Sequence, residues 1–391
     1  MFSVDKSVVL KRGKEHSVLR RHPWVFSGAI HHYDSGLTDG CWVRVLDANQ
    51  QVLGFGHYQK GSIAVRVLSF GAQAPDENFY TTRIATALRQ RRATGVVQPD
   101  TNAFRLLHGE GDGLPGLIVD MYNGMAVMQA HSHGMHHDRT RIAAALMSVL
   151  CDMANGVYYK SQGTLEQTTN EYLHGMGIVP HVVQEHGHKF LVDWEEGQKT
   201  GFFLDQRENR QLLGHYARGR KVLNTFCYTG GFSVYALQGG AELVHSVDAS
   251  EKAIALTRKN IELNGFDAAH HACYTDDTFD FLKDKHNRYD LIVLDPPAFA
   301  KHKDARHQAM KGYQRLNAEA MRQIQSGGIL FTFSCSQVVD RQLFYDTIVS
   351  AAIQAGRDIQ VLQHMGQPAD HPVSIYHREG EYLKGLVLYV A

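Results

Sequence analysis

Two side chains of this 391-residue chain stand out as reaction groups: Cys335 in Ser334-Cys335-Ser336 and Asp295 in Asp295-Pro296-Pro297. Each closes a short apolar run, Ile329–Ser334 and Asp290–Asp295, of the kind that forms a buried strand. A cysteine thiolate is a potent nucleophile, and a carboxylate on a neighbouring strand end can bind a polar edge or help move a proton. Pro296 and Pro297 hold the backbone after the acid in a rigid, extended turn. A third constellation lies upstream, from Lys221 to Asp248. Apolar Val222-Leu223 leads through Asn224-Thr225-Phe226-Cys227-Tyr228-Thr229-Gly230-Gly231 into a helical pattern, and a second apolar run then ends on Asp248. A strand, a glycine turn into a helix and an acidic end to the next strand make a nucleotide-cofactor crevice, in which the acid accepts from both ribose hydroxyls. Asp276 or Asp277, after a third strand, sits where an adenine amino group could donate. These acids also have a plainer use: aspartate is a common helix cap, and Asp277 is placed to cap the helix behind it.

The elements that must position these groups follow one another as strand and helix. Strands are expected at Val222–Thr225, Leu243–Asp248, Ala272–Tyr274, Asp290–Asp295 and Ile329–Ser334, with Ile359–Gln363 and Leu383–Val390 closing. Helices fit Ser250–Asn264, Asp277–Asp284, Ala309–Ile324 and Arg341–Ala355. The fold class is therefore α/β, an open, doubly wound Rossmann-like sheet. A dinucleotide enzyme would carry G-x-G-x-x-G after the first strand, to set a helix N-terminus against a pyrophosphate. That spacing is missing, whereas a sulfonium nucleoside has no pyrophosphate and tolerates the looser turn. Ahead of this domain (186–391) lie two others: a small β-barrel-like domain (1–72) of closely spaced strands, and a middle α/β domain (73–185) with a hairpin at Tyr122-Asn123-Gly124. Glu110 and Asp112 lack the other ligands of a calcium loop and read as part of a Gly-rich turn.

Composition narrows the function. With 43% apolar and 20% charged residues the chain has ample core material, and no apolar run reaches membrane-spanning length. No signal-peptide core follows the charged N-terminus, so a cytoplasmic protein is expected. Five scattered cysteines without C-x-x-C spacing support neither a disulfide framework nor a zinc site, and no metal is expected. Formal net charge is zero, which argues against a surface coated in nucleic-acid contacts. Residues 1–28, however, hold Lys6, Lys11, Arg12, Lys14, Arg20 and Arg21 against Asp5 and Glu15, a local patch suited to phosphates.

In order, NTFCYTGGF, VDAS, YTDDTFDFL, DPPAF and FTFSCS resemble the motifs of class I S-adenosylmethionine-dependent methyltransferases. More narrowly, the chain is similar to the bacterial RlmI-type 23S rRNA cytosine-5 methyltransferases. RRHPWVFSGAI, GEGDGLPGLIVD, KTGFFLDQRENR and ADHPV extend that likeness over nearly the whole chain. The resemblance implies S-adenosylmethionine as cofactor, rRNA as partner and a PUA RNA-binding domain at the N-terminus. It places Gln206 and Arg207 beside the cofactor pocket, with Asn224, Phe226, Tyr228, Thr229, Gly230, Asp248, Asp276, Asp277 and Asp295 around it. Cys335 would add to carbon 6 of the cytosine, and Asp295 would meet its polar edge or help transfer its proton. Lys11, Arg12, Lys14, Arg20 and Arg21 would contact RNA, and Phe299 or Tyr313 would stack a base drawn out of its helix. DPPAF lacks the cysteine that two-cysteine RNA cytosine-5 methyltransferases carry there, so the proton-removing base has no assignment; Cys227 reads as a packing residue. Nitrogen methylation of a purine with Cys335 merely structural, and a non-catalytic RNA-binding assembly factor, are the rival readings. A homodimer stays open.

Overall fold

Val222-Leu223, Leu243–Val247, Leu291–Leu294 and Ile329–Phe333 are β-branched or leucine-rich runs with no helical period, and in a computed structural model they form buried strands of one sheet. The structure describes residues 4–166, 168–283, 288–300 and 302–391. The chain divides into two compact units: 1–183 with 192–202 and 369–380, and 184–191 with 203–368 and 381–391.

The second unit is built on a seven-stranded sheet. Lys221–Thr225 lies between Leu243–Asp248 and Leu291–Leu294; His271–Thr275 flanks the former, and Gly328–Ser334 the latter. All these pairs are parallel, with Thr225 opposite Val247 and Leu294, Asp248 opposite Thr275, and Leu294 opposite Thr332. One edge of the sheet therefore carries the carboxyl ends of five strands, and the strand order reverses around Lys221–Thr225. That is where an open α/β sheet opens a ligand crevice. The last strand, Lys384–Val390, inserts antiparallel between Gly328–Ser334 and Ile359–Gly366, with Lys384 opposite Ser334. Its reversed direction brings its first residue, not its last, to the same edge.

The helices take the expected places with trimmed ends: Glu251–Leu263 is capped by Ser250, which accepts from Ala253 N, and Arg341–Ala355 by Asp340, which accepts from Leu343 N. The helix expected at 277–284 is observed over Thr278–Leu282; Asp284 lies outside the described residues. The helix expected at 309–324 begins three residues earlier, as Arg306–Gln323, and one helix of this unit, Arg207–Tyr216, escaped the sequence pattern.

In the first unit, six strands order as Trp24–Phe26, Ile63–Phe70, Val52–Tyr58, Trp42–Leu46, Lys6–Leu10 and Ile30–Tyr33. Ile30–Tyr33 was not expected as a strand, because only its first residue is buried and it shows no apolar alternation. A five-stranded sheet follows, in which Leu117–Tyr122 and Met125–Ala130 form a hairpin. Its turn residues Asn123 and Gly124 both have positive φ, 45° and 92°, as a two-residue hairpin turn requires. Asp138, at the start of the helix Arg139–Leu150, links the six-stranded sheet to the helix Phe79–Ala93 by accepting from Trp42 Nε1 (2.9 Å), Tyr80 Oη (2.6 Å) and His57 Nε2 (3.2 Å). Burial would raise its carboxyl, but the bonds from His57, Tyr80 and Trp42 outweigh it and hold the group below its usual range. Asp112 is committed to Arg91 and to the amide of His108, and Glu110 to the indole of Trp24, so both acids of the Gly-rich turn serve the fold.

Candidate functional site

The turn after Lys221–Thr225 is held in a costly conformation. Phe226, Tyr228 and Gly230 have φ of 53°, 45° and 73°. For a non-glycine residue this left-handed backbone costs on the order of 1–2 kcal/mol, so the surroundings must over-determine it. They do. Asp248 accepts from Tyr228 N (3.0 Å) through one oxygen and from Ser250 N (2.9 Å) through the other. Thr257 Oγ1 donates to the Tyr228 carbonyl (3.0 Å) and Asn260 Nδ2 to the Thr229 carbonyl (2.8 Å). Each Asp248 oxygen keeps a second lone pair, the capacity that two adjacent hydroxyls need. Asn224, 1% exposed, gives its amide N–H to Ser233 (2.9 Å), and its Oδ1 is buried without a partner among the described residues. A buried acceptor left so costs about 1–3 kcal/mol, which a donor on a bound ligand would recover.

At Gly230 an added Cβ would lie 2.6 Å from Cγ2 of Thr257, in a backbone conformation already foreign to alanine. Gly230→Ala is accordingly expected to destabilise the second unit by about 1–3 kcal/mol, read as a lower urea midpoint at unchanged slope. A midpoint equal to wild type would show that the turn is not rigidly held.

Asp276 and Asp277 are exposed at the end of His271–Thr275, next to Asp248, whose carbonyl accepts from Asp276 N (3.1 Å). Asp277 caps Thr278–Leu282 through Oδ1, accepting from Phe279 N (2.8 Å) and Asp280 N (3.3 Å); Asp276 Oδ1 accepts from Asp277 N (2.8 Å). Arg207 is fully buried, with Nε on Glu208 (3.2 Å).

On the other side of Lys221–Thr225, Asp295 and Cys335 directly follow Leu291–Leu294 and Gly328–Ser334, adjacent parallel strands. Both are half-buried. Gln206 Nε2 donates to Asp295 Oδ1 (2.9 Å), and Gln206 is in turn fixed by Asn209 Nδ2 on its Oε1 (2.5 Å). Burial pushes the hydroxyl of Tyr313 up to about 12, and the charges of Cys335 and Asp295 add to that. Tyr313 is 0% exposed and packs its ring against Phe299, centroids 4.6 Å apart, so of the two candidate stacking rings only half-buried Phe299 can be offered to a base. Cys227 is buried, and its thiol is pushed far up by that burial, in keeping with packing. Sequence reasoning missed Lys384, buried at the same edge, whose Nζ donates to the carbonyls of Ser336 (2.6 Å) and Tyr382 (2.7 Å). A charge opening the apolar run Gly385–Val390 was the available signal. An apolar groove along Tyr345, Ile348, Val349, Ile353 and Leu386 lies between the helix Arg341–Ala355 and the last two strands.

In the first unit, Lys11, Arg12, Lys14, Arg20 and Arg21 are all exposed and share the segment between Lys6–Leu10 and Trp24–Phe26. Nearby, Nε2 of His22 and Nε2 of His377 each lie 3.7 Å from an oxygen of Glu379, the one metal-capable group among the described residues. His22 Nδ1 lies 3.2 Å from both the amide nitrogen and the carbonyl oxygen of Trp24. The three side chains pack together beside Trp24, and no metal is assigned to them.

Comparison with known proteins agrees with this geometry. Residues 105–374 match the family model for S-adenosylmethionine-dependent methyltransferases, and residues 8–70 match that for a PUA-like domain. "Ribosomal RNA large subunit methyltransferase I" of Aeromonas hydrophila is 38% identical over 98% of this chain and 99% of its own length. The protein of that name from Escherichia coli (strain SMS-3-5) is 38% identical over 97% and 98%. Among solved structures, a methyltransferase complexed with SAH superposes over the full length of both chains with a TM-score of 0.85 at 24% identity. A Streptococcus mutans chain described as a SAM-dependent methyltransferase gives 0.84 at 23%. No helix among the described residues is long and apolar enough to cross a membrane. A reversing parallel sheet, a strained glycine turn closed by an aspartate and this full-length likeness lead to one conclusion: the chain belongs to the S-adenosylmethionine-dependent methyltransferases, in the large subunit methyltransferase I family with its N-terminal PUA-like domain, and S-adenosylmethionine is its cofactor.

Proposed function

We propose that this enzyme methylates carbon 5 of a cytosine in large-subunit (23S) rRNA through a transient bond between Cys335 and carbon 6. The observation that carries this reading is the pairing of a half-buried cysteine and a glutamine-anchored aspartate on adjacent strand ends, at the sheet edge that also holds the cofactor turn. The rRNA substrate is the one named for the relatives 38% identical to this chain.

The site fits the cofactor. Asp248 would take the ribose hydroxyls, the buried Oδ1 of Asn224 a donor of the ligand, and Asp276 with the outer oxygen of Asp277 the adenine edge. Phe226, Tyr228, Thr229 and Gly230 would form the wall, backed by Gln206 and Arg207. Bound S-adenosylmethionine would supply an electrophilic methyl group, the electrons of the broken sulfonium–methyl bond staying on the sulfur of the departing S-adenosylhomocysteine. The protein's task is to make carbon 5 a nucleophile. Cys335 Sγ, as the thiolate, forms a bond to carbon 6, and the ring's electron pair moves so that carbon 5 takes the methyl. A base then removes the proton from carbon 5, and the electrons of that C–H bond expel Sγ from carbon 6, restoring both the ring and the thiolate. Asp295, its other side held by Gln206, accepts from the exocyclic amine and fixes the ring's orientation.

The exposed cations of residues 11–21 would bind phosphates, with residues 1–72 acting as the RNA-binding domain, 73–185 as the middle domain and 186–391 as the methyltransferase domain. Drawing the base from its stack costs a few kcal/mol, which stacking on Phe299, worth roughly 1–3 kcal/mol, would offset. The test is nucleoside mass spectrometry of rRNA incubated with the enzyme and deuteriomethyl-labelled S-adenosylmethionine. Labelled 5-methylcytidine is expected. Label on a purine nitrogen would overturn the cytosine reading, and no label in any rRNA would favour the assembly-factor role.

A further inference from the structure

Lys384 has no part in the steps above, yet it occupies their centre. It opens the antiparallel strand Lys384–Val390 in register with Ser334, the residue before Cys335, and is only 5% exposed. Two of its three N–H bonds go to the carbonyls of Ser336 and Tyr382, which are neutral acceptors. The acid beside it in sequence, Glu381, is engaged with Arg341 at 2.6 Å. A buried ammonium normally demands a facing anion. Here the group acting most strongly on it to hold its proton is Cys335, ahead of Glu381 and Asp340, with Arg341 opposing.

We propose that Lys384 is a positioning residue that keeps the Cys335 sulfur ionised, its buried ammonium serving as the counter-charge to the thiolate while its bond to the Ser336 carbonyl fixes the loop that presents Sγ. The inference rests on Cys335 being the nucleophile. An unperturbed thiol is only a few per cent thiolate at pH 7, and a cation within about 4–6 Å lowers its pKa by 1–3 units. The Cys335 proton passes to water and Nζ keeps its own. Burial brings Lys384 down to about 8, which leaves it largely protonated at neutral pH.

The test is the pH dependence of Cys335 alkylation by iodoacetamide, followed on the Cys335 peptide by mass spectrometry, in the full-length wild type, Lys384→Gln and Lys384→Arg. The other charged or titratable groups around the pair (Asp295, Tyr313, Asp340, Arg341 and Glu381) are present in all three, so a difference reports position 384. The wild-type midpoint is expected below the ordinary thiol value of about 8.5. Lys384→Gln should raise it by a unit or more, roughly tenfold slower alkylation at pH 7, and Lys384→Arg should return it toward wild type. A Lys384→Gln midpoint equal to wild type overturns the inference. If Lys384→Gln does not fold, a wild-type midpoint at or above about 8.5 overturns it just as well, and one well below supports it. Failure of the underlying reading looks different: Cys335→Ser would keep its turnover wherever the alkylation midpoint fell.

Discussion

Cys335→Ala is expected to lower methyl transfer to rRNA by on the order of 10³-fold or more while leaving S-adenosylmethionine binding, measured by calorimetry, close to wild type. Carbon 5 of a cytosine is a poor nucleophile until a thiolate has added at carbon 6, so loss of Sγ removes the route and not merely its efficiency. The fold should suffer little, because Lys384, already brought down to about 8 by burial, can shed its proton once the thiolate is gone and keep its bonds to the Ser336 and Tyr382 carbonyls. Cys335 is half-buried at a strand end, outside the apolar core, and truncating such a side chain falls in the range of about 1 kcal/mol or less. The cofactor turn lies around Asp248 and Asn224, on other strands. Cys227 supplies the contrast: it is sealed at 6% exposure and burial disfavours its thiolate, so Cys227→Ala should tell on stability before it tells on chemistry. Turnover of Cys335→Ala within about tenfold of wild type would leave the cysteine structural and return the purine-nitrogen reading.

The second large effect is expected at Glu185, far from any reacting atom. Its carboxylate is completely buried and grips Arg210 through both oxygens, Nε–Oε1 2.8 Å and Nη2–Oε2 2.6 Å, with Tyr235 Oη donating as well (3.1 Å). Arg210 also donates to the Phe203 carbonyl (2.9 Å), and an atom added at Gly231 would come within 2.8 Å of its Cδ. The pair thus props the helix end beneath the cofactor turn. Glu185→Ala leaves a guanidinium buried without its counter-charge, and breaking a buried pair from one side costs about 3–5 kcal/mol. In a unit of this size that corresponds to a thermal midpoint lower by roughly 6–20 °C. Weakened cofactor binding should accompany it, because the turn rests on the displaced side chain. An unchanged melt would mean that water or a neighbour replaces the carboxylate at no cost.

How much of this could be read from the chain depends on how local each determinant is. Asn123-Gly124 specifies its own turn, and the β-branched runs ending at Asp248, Asp295 and Ser334 specify strands whose common direction follows from the helices between them. Cys335 and Asp295 could be singled out because both follow such runs directly. The partners that tune them could not. Gln206 meets Asp295 across 89 residues, Lys384 meets Ser336 across 48, and Glu185 meets Arg210 across 25. Each contact depends on pairing that no local period encodes, and Lys384 in particular reaches the site because the last strand runs against its neighbours. Asp276 and Asp277 show the opposite limit. Their positions were legible, but a strand-end aspartate serves equally as a ligand or a cap, and Asp277 caps.

The most direct measurement uses a fragment of large-subunit rRNA in which cytidines are replaced by 5-fluorocytidine, incubated with the enzyme and S-adenosylmethionine. Fluorine on carbon 5 cannot depart as a proton, so once the methyl is in place the Sγ–carbon 6 bond cannot be expelled. A denaturation-stable complex of one protein per RNA, with the nucleotide mapped to the peptide containing Cys335, is the predicted result. Methylation of ordinary RNA with no such complex, or a complex mapped to another cysteine, would contradict it.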